Sequence, residues 1–228
     1  MVQFTPLSQT DHGDHRWARY TSYDHARADA VAPVTLQELT QASKTLPLCF
    51  TPSGEGYSLA VLQSLLPGQN LCVAPNGQWL TEYTPAVYRA YPFGLGQTET
   101  EDHFLCADMD SGLIREDGEG EPMFDDSGPT EAIRSVMNFL LALHKDRAAT
   151  TRVVAVLARH GLIKPWALTI KTEEGERLVE GVFTLDEAAL NALAPDALAE
   201  VRDAGGLAVA YCQLLSTRNL ATLQQLIK

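Results

Sequence analysis

The sequence predicts an α+β fold, with an antiparallel sheet drawn mostly from the N-terminal half and helices packed on it mostly from the C-terminal half. Three observations carry that prediction. Short β-type segments cluster before residue 125, helical periodicities cluster after it, and the two do not alternate as a parallel α/β sheet requires. The chain has 228 residues, 45% of them hydrophobic and 20% charged, enough apolar material for a sizeable core. No repeat, low-complexity tract or long linker interrupts it. Residues 1–228 therefore read as a single domain with an irregular N-terminal segment over 1–33.

The elements follow in order. Thr35-Leu-Gln-Glu38 is a capping box, in which hydroxyl and carboxylate satisfy orphan N–H groups at a helix start. Leu36, Leu39, Ala42 and Leu46 then recur at helical spacing until Pro47 stops the run. Leu48–Phe50, Tyr57–Leu65 and Asn70–Ala74 read as strands. Asn76-Gly77 supplies the positive φ angles of a tight hairpin turn and hands the chain to a strand over Gln78–Tyr83. Thr84-Pro85 starts a short helix that must end by Pro92. Gly94–Asp102 is a polar connection to a strand at Phe104–Asp110. Leu113–Glu116 and Pro122–Asp125 flank an acidic loop.

The helical half is written more plainly. Residues 129–147 place Ile133, Val136, Met137, Leu140, Leu141 and His144 on one face, and a second helix is expected over Thr151–His160, closed by Gly161. Trp166–Thr172 and Arg177–Phe183 flank a Glu-Glu-Gly turn. A second capping box, Thr184-Leu-Asp-Glu187, precedes another helix, and Pro195–Ala204 ends at Gly205-Gly206. Leu207–Leu215 fits either a strand or a buried helix. Ser216 reads as the cap of a terminal helix whose Leu220, Leu223 and Ile227 point inward.

Charge narrows the partners. With 29 acidic and 17 basic residues the net charge is −12 and the pI is near 4.8, which repels nucleic acid and anionic lipid. The longest apolar runs are far shorter than the roughly 20 residues a spanning helix needs, so no membrane insertion is expected. No basic stretch followed by an apolar one opens the chain, and a cytoplasmic location is the expectation. Cys49, Cys72, Cys106 and Cys212 each sit in an apolar stretch and read as reduced, inert core thiols.

Phosphate-binding loops, the dinucleotide fingerprint, the nucleophile elbow and the HExxH zinc motif are all missing. A calcium loop at Asp108-Met-Asp110-Ser111 fails because Gly112 stands where a third oxygen ligand belongs. His12-Gly-Asp14, with His15 beside it, has the spacing of the two leading ligands of an iron oxygenase triad, but no strand pattern frames it. No resident metal and no cofactor are expected.

The window Trp79–Phe93 is the most informative. It holds Trp79, Tyr83, Tyr88, Tyr91 and Phe93, and Arg89 is the only Lys or Arg between Lys44 and Arg115. Arg89 either clamps a strand carboxylate such as Asp108 or receives a carboxylate or carbonyl of a ligand. Aromatics with arginine are the composition of binding hot spots, so Trp79, Tyr83, Tyr88, Arg89, Tyr91, Phe93 and Asp108 are the candidate site residues.

The order of blocks resembles the SapC family. The resemblance runs from His12 and Ala18–Tyr23 through Pro33-Val-Thr-Leu-Gln-Glu38, Leu46-Pro-Leu-Cys-Phe50, Gly68-Gln-Asn70, Gly77-Gln-Trp79 and Tyr83-Thr-Pro85 to Arg89-Ala-Tyr-Pro92-Phe93. It continues with Asp108-Met-Asp110, Glu121-Pro-Met-Phe124, Leu162-Ile-Lys-Pro165, Gly181–Glu187 and Leu207–Tyr211 with Ser216. The resemblance implies a bacterial accessory protein linked to surface-layer production or export. The function expected is non-enzymatic binding of a peptide or protein partner, with a homo-oligomer left open. The alternative is a peptide-modifying enzyme such as a divergent iron-dependent oxygenase using His12 and Asp14.

Overall fold

A computed structural model describes residues 4–172 and 175–226. Its elements run β1 (Phe4–Pro6), α1 (Gln9–His12), β2 (Arg16–Trp17), β3 (Val31–Pro33), α2 (Leu39–Thr45), β4 (Leu48–Ser53), β5 (Gly56–Leu62), β6 (Phe93–Gln97) and β7 (His103–Asp108). They continue with β8 (Ile114–Arg115), β9 (Glu121–Pro122), β10 (Phe124–Asp125), β11 (Gly128–Pro129), α3 (Glu131–Arg159), β12 (Ile163–Pro165), β13 (Thr169–Thr172), β14 (Gly175–Leu178) and β15 (Phe183–Leu185). Four helices close the order: α4 (Glu187–Asn191), α5 (Pro195–Asp203), α6 (Gly206–Ser216) and α7 (Leu220–Leu226). The fold is α+β, with antiparallel sheets and mostly C-terminal helices.

The chain forms two compact units. The first joins the stretch up to Ser22 with Tyr88–Lys145; the second joins Tyr23–Val87 with the chain from Asp146 onward. In the first, β1, β7 and β6 form an antiparallel sheet with Phe4 opposite Asp108 and Phe93 opposite Ala107, and β8, β2 and β9 form another. Its core gathers Trp17, Phe93, Leu105, Ala107, Ile114, Met123, Ile133 and Leu140. The second unit is built on the antiparallel order β12-β15-β4-β5-β3, against which α6 packs over β4 and β15. Phe50, Leu59, Leu157, Leu162 and Leu223 are buried there.

Several expectations need correction. The segment before Pro33 is not irregular: it carries β1, α1, β2 and β3, each too short to show a period in the sequence. The polar connection at Gly94–Asp102 contains all of β6 but its first residue, Phe93. Glycine weakens a strand reading, yet here it makes room, because a Cβ on Gly94 would lie 2.9 Å from the Phe4 ring and one on Gly96 2.4 Å from the Phe104 ring.

Asn70–Ala74 and Gln78–Tyr83 are not strands. The turn at Gly77 forms, with φ 83°, but only a single bridge from Val73 to Trp79 spans it. Backbone bonds across the turn run from Ala74 N–H to the Gln78 carbonyl and from Leu80 N–H to the Cys72 carbonyl, while Cys72 N–H and Gln78 N–H turn to the local oxygens Asn70 Oδ1 and Asn76 Oδ1 and the pairing goes no further. The helix expected after Thr84-Pro85 is a single 3-10 turn at Ala86–Tyr88.

The two helices expected over 129–160 are one, α3. Neither proline nor glycine interrupts it, and the Thr150 and Thr151 hydroxyls donate to the carbonyls of Asp146 and Arg147, one turn back, instead of capping a new start. Thr184 is no cap either. It lies in β15, and the cap of α4 is Asp186, whose carboxylate accepts from Ala188 and Ala189 N–H. Ser216 ends α6 and turns its hydroxyl to the Gln213 carbonyl. The first capping box holds, and Leu223 of α7 is buried. Ile227 and the turn residues Glu173 and Glu174 lie outside the described residues.

Candidate functional site

In the first unit an open groove of about 840 Å³ runs between the N-terminal segment and the first turns of α3. Trp17, Tyr20, Ala90, Val136 and Phe139 line it, with Arg19, Arg89, Glu131 and Ser135 as its polar members. Each side chain arrives for a local reason. Trp17 is the inward residue of β2, only 6% exposed, set edge-on to Phe93 with ring centroids 4.8 Å apart. Two residues on, Arg19 stacks its guanidinium 4.9 Å from the Trp17 ring and donates from Nε to Glu121 Oε1 at 2.8 Å. The Trp17 indole N–H has no acceptor among the described residues, so packing and the Arg19 cation hold the ring. Tyr88 and Ala90 are buried on either side of Arg89, and this alternation leaves Arg89 exposed on the groove.

The candidate residues fall in both units. Trp79 and Tyr83 belong to the second, where they order a loop. The Trp79 indole donates to Thr81 Oγ1 and to the Tyr83 carbonyl, each at 2.8 Å, and the Tyr83 hydroxyl donates to Glu38 Oε1 at 2.6 Å. Tyr88, Arg89, Tyr91, Phe93 and Asp108 belong to the first. Phe93 lies in its core. Asp108 is buried, accepting from the Tyr91 hydroxyl at 2.9 Å and from Asp110 N–H at 3.1 Å. Sequence reasoning missed Trp17, Arg19 and Tyr20 as groove residues. Their signal was an aromatic-arginine cluster, but it stood about 70 residues from Arg89 in a stretch without visible periodicity.

Burial first, then the hydrogen bond to Asp108 and its charge, push the Tyr91 phenol up to about 12. The folded pKa is above the unfolded one, so this stabilisation is complete below about pH 10 and fades as pH rises through about 12. Tyrosinate absorbance of wild type minus that of Tyr91→Phe is expected to titrate near 12. A difference titrating near 10 would show that the phenol is not held by Asp108.

The thiols are quiet. All four cysteines are free, three of them buried, with burial pushing Cys49 and Cys72 up to about 12 and raising Cys106. Cys212, half-buried on α6, is less shielded than the sequence suggested. Native labelling of dilute protein is expected to modify Cys212 alone; rapid reaction at any other would contradict the packing of β4, β7 or the Cys72 turn.

His12 is buried, and its Nδ1 lies 3.2 Å from Ser8 N and 3.3 Å from Ser8 O, while His15 pairs with Glu116 at 3.1 Å. Among the described residues no three His, Cys, Asp or Glu side chains converge as metal ligands, and no helix is long and apolar enough to cross a membrane.

The model of one protein family, SapC, matches residues 7–223. No curated protein and no solved structure matches the chain.

Proposed function

The chain belongs to the SapC family, and from that premise we propose that it is a non-enzymatic accessory protein whose groove beside Arg89 binds a peptide or protein partner. The observation that carries this reading is the groove's composition. An apolar floor of Trp17, Val136 and Phe139 lies under two guanidinium groups on the surface of a chain of net charge −12. Aromatic and arginine anchors in one concavity are what binding hot spots use. A planar guanidinium takes a carboxylate or a backbone carbonyl bidentately, so the group received at Arg89 is a peptide carbonyl or C-terminal carboxylate. The reading extends to a cytoplasmic role in surface-layer production or export.

The test is a peptide array with free and amidated C-termini, probed with wild type, Arg89→Ala and Arg89→Lys. Arg89→Ala is expected to weaken the retained peptides about tenfold or more, as hot-spot arginines do. Arg89→Lys keeps the charge but loses the fork, and falls between. Stability should change by less than about 0.5 kcal/mol, since Arg89 is exposed. A stable Arg89→Ala that binds every retained peptide as wild type does removes the groove from the functional account.

A further inference from the structure

Helix α3 starts without a side-chain cap, and its first turn lies on the groove. The Thr130 hydroxyl, in the capping position, donates instead to the Pro122 carbonyl at 3.0 Å. Among the described residues no side chain accepts from the first N–H groups of the helix. Glu131 and Ala132, the first two residues of these 29, line the groove, so unmet N–H groups and the positive end of the helix dipole stand at its wall. Two guanidinium groups lie in the same groove. Arg19 gives its Nε to Glu121, and its Nη donors have no acceptor among the described residues. Trp17 adds a separate sign: it is 6% exposed, lines the groove, and holds its indole N–H without an acceptor. A buried donor left unmet is rare in a folded protein, and a bound acceptor is one thing that meets it. On the peptide-binding reading above, on which this rests, we propose that the groove holds the free C-terminus of a peptide whose last residue is apolar.

Each half of such a ligand has a counterpart. A carboxylate offers about four lone-pair sites to the N–H groups of α3, the Arg89 fork and the Trp17 indole. Capture of a terminal carboxylate by clustered backbone N–H groups is a recurring mode of peptide recognition. The last side chain lies on Val136 and Phe139. An inorganic anion would leave that apolar floor unused, and an amidated end would leave the helix donors unmet. Glu131 is the one carboxylate among the described residues that line the groove. It repels a bound Asp or Glu in the last position and lowers the affinity of every anionic end, which favours an apolar last residue by penalising its rivals. At about 840 Å³ the groove is within the range of about 300–1,000 Å³ found for ligand sites, room for the last few residues of a chain.

Pentapeptides of Gly and Ser, labelled at the N-terminus and ending in each of the twenty residues as free acid or amide, are titrated with the full chain by fluorescence polarisation. Free acids ending in Leu, Ile, Val or Phe are expected to bind about tenfold or more tighter than their amides and than the free acid ending in Asp. Arg89→Ala is expected to bring acid and amide together. Glu131→Gln is expected to tighten the free acids and to narrow the penalty on a last Asp; Glu131 is exposed, so circular dichroism should show that variant folded. Acid and amide bound alike, both weakened by Arg89→Ala, overturn the terminal recognition and leave the peptide groove standing. A last Asp bound as well as a last Leu overturns the apolar preference. Binding of none of the peptides, or binding untouched by Arg89→Ala, overturns both readings. Decanoate that displaces the peptides and binds tighter than any of them assigns the groove to a fatty acid and overturns the proposal as well.

Discussion

Replacing Glu38 with alanine is expected to lower the unfolding free energy by about 3–5 kcal/mol, because several buried donors lose the one carboxylate they share. Glu38 is 7% exposed and collects four donors. Its Oε2 accepts from Thr35 N–H at 2.9 Å and from the Thr35 hydroxyl at 3.0 Å; its Oε1 accepts from the Tyr83 hydroxyl at 2.6 Å and from Ala86 N–H at 2.7 Å. The capping residue of the first helical turn is therefore also the anchor of the Thr81–Ala86 loop. Alanine takes the acceptor from the donors of Thr35 and Ala86, which are buried, and each buried orphan costs about 1–3 kcal/mol, less than additively. Tyr83→Phe removes one bond to a charged group and should cost about 1.5–3 kcal/mol. Urea denaturation followed by circular dichroism measures both. If Glu38→Ala unfolds within about 1 kcal/mol of wild type, Glu38 is merely a helix cap, whose loss costs about that much.

Gln213→Leu is the second large effect, about 3 kcal/mol, although it places a well-shaped apolar residue in a fully buried site. Gln213 Oε1 accepts from Leu185 N–H at 3.1 Å and from the Thr184 hydroxyl at 3.2 Å, and its amide donates to the Leu48 carbonyl at 3.1 Å. Leu48 N–H donates to Ser216 Oγ at 2.8 Å. β15 and β4 pair through Phe183 and Phe50, and at Leu48 the groups of α6 replace the missing ladder. Leucine would strand one carbonyl, one N–H and one hydroxyl. Ser216→Ala, which strands only the Leu48 N–H, should cost about 1–2 kcal/mol. A Gln213→Leu chain with an unchanged denaturation midpoint would mean that β4 and β15 pair without α6.

Gln213 and Ser216 also show why the helix over Leu207–Leu215 stayed ambiguous in the sequence. A run of apolar residues has no period, so helix and strand fit it equally well. Ser216 looked like a cap because serine before a helix commonly is one; its real partner is 168 residues away at Leu48. Thr184 misled in the same way, its hydroxyl being drawn across to Gln213. Phe93–Gln97 was unreadable as a strand because its two glycines suit rings contributed by Phe4 and Phe104, which no local pattern announces.

What the sequence determined alone is short in range. The Thr35–Glu38 box, the Gly77 turn, the amphipathic face of α3 and the left-handed stop at Gly161 involve groups within about four residues of one another, where backbone geometry and side-chain type suffice. The α+β division followed from the same local periods. Tertiary structure decided the rest: that Glu38 would bind a loop 48 residues away, that Asp108 would serve Tyr91, and that residues 17–20, 89–90 and 131–139 would wall one groove. These partners meet because burying apolar surface brings distant segments together. Once buried, polar groups must satisfy one another wherever they lie in the chain.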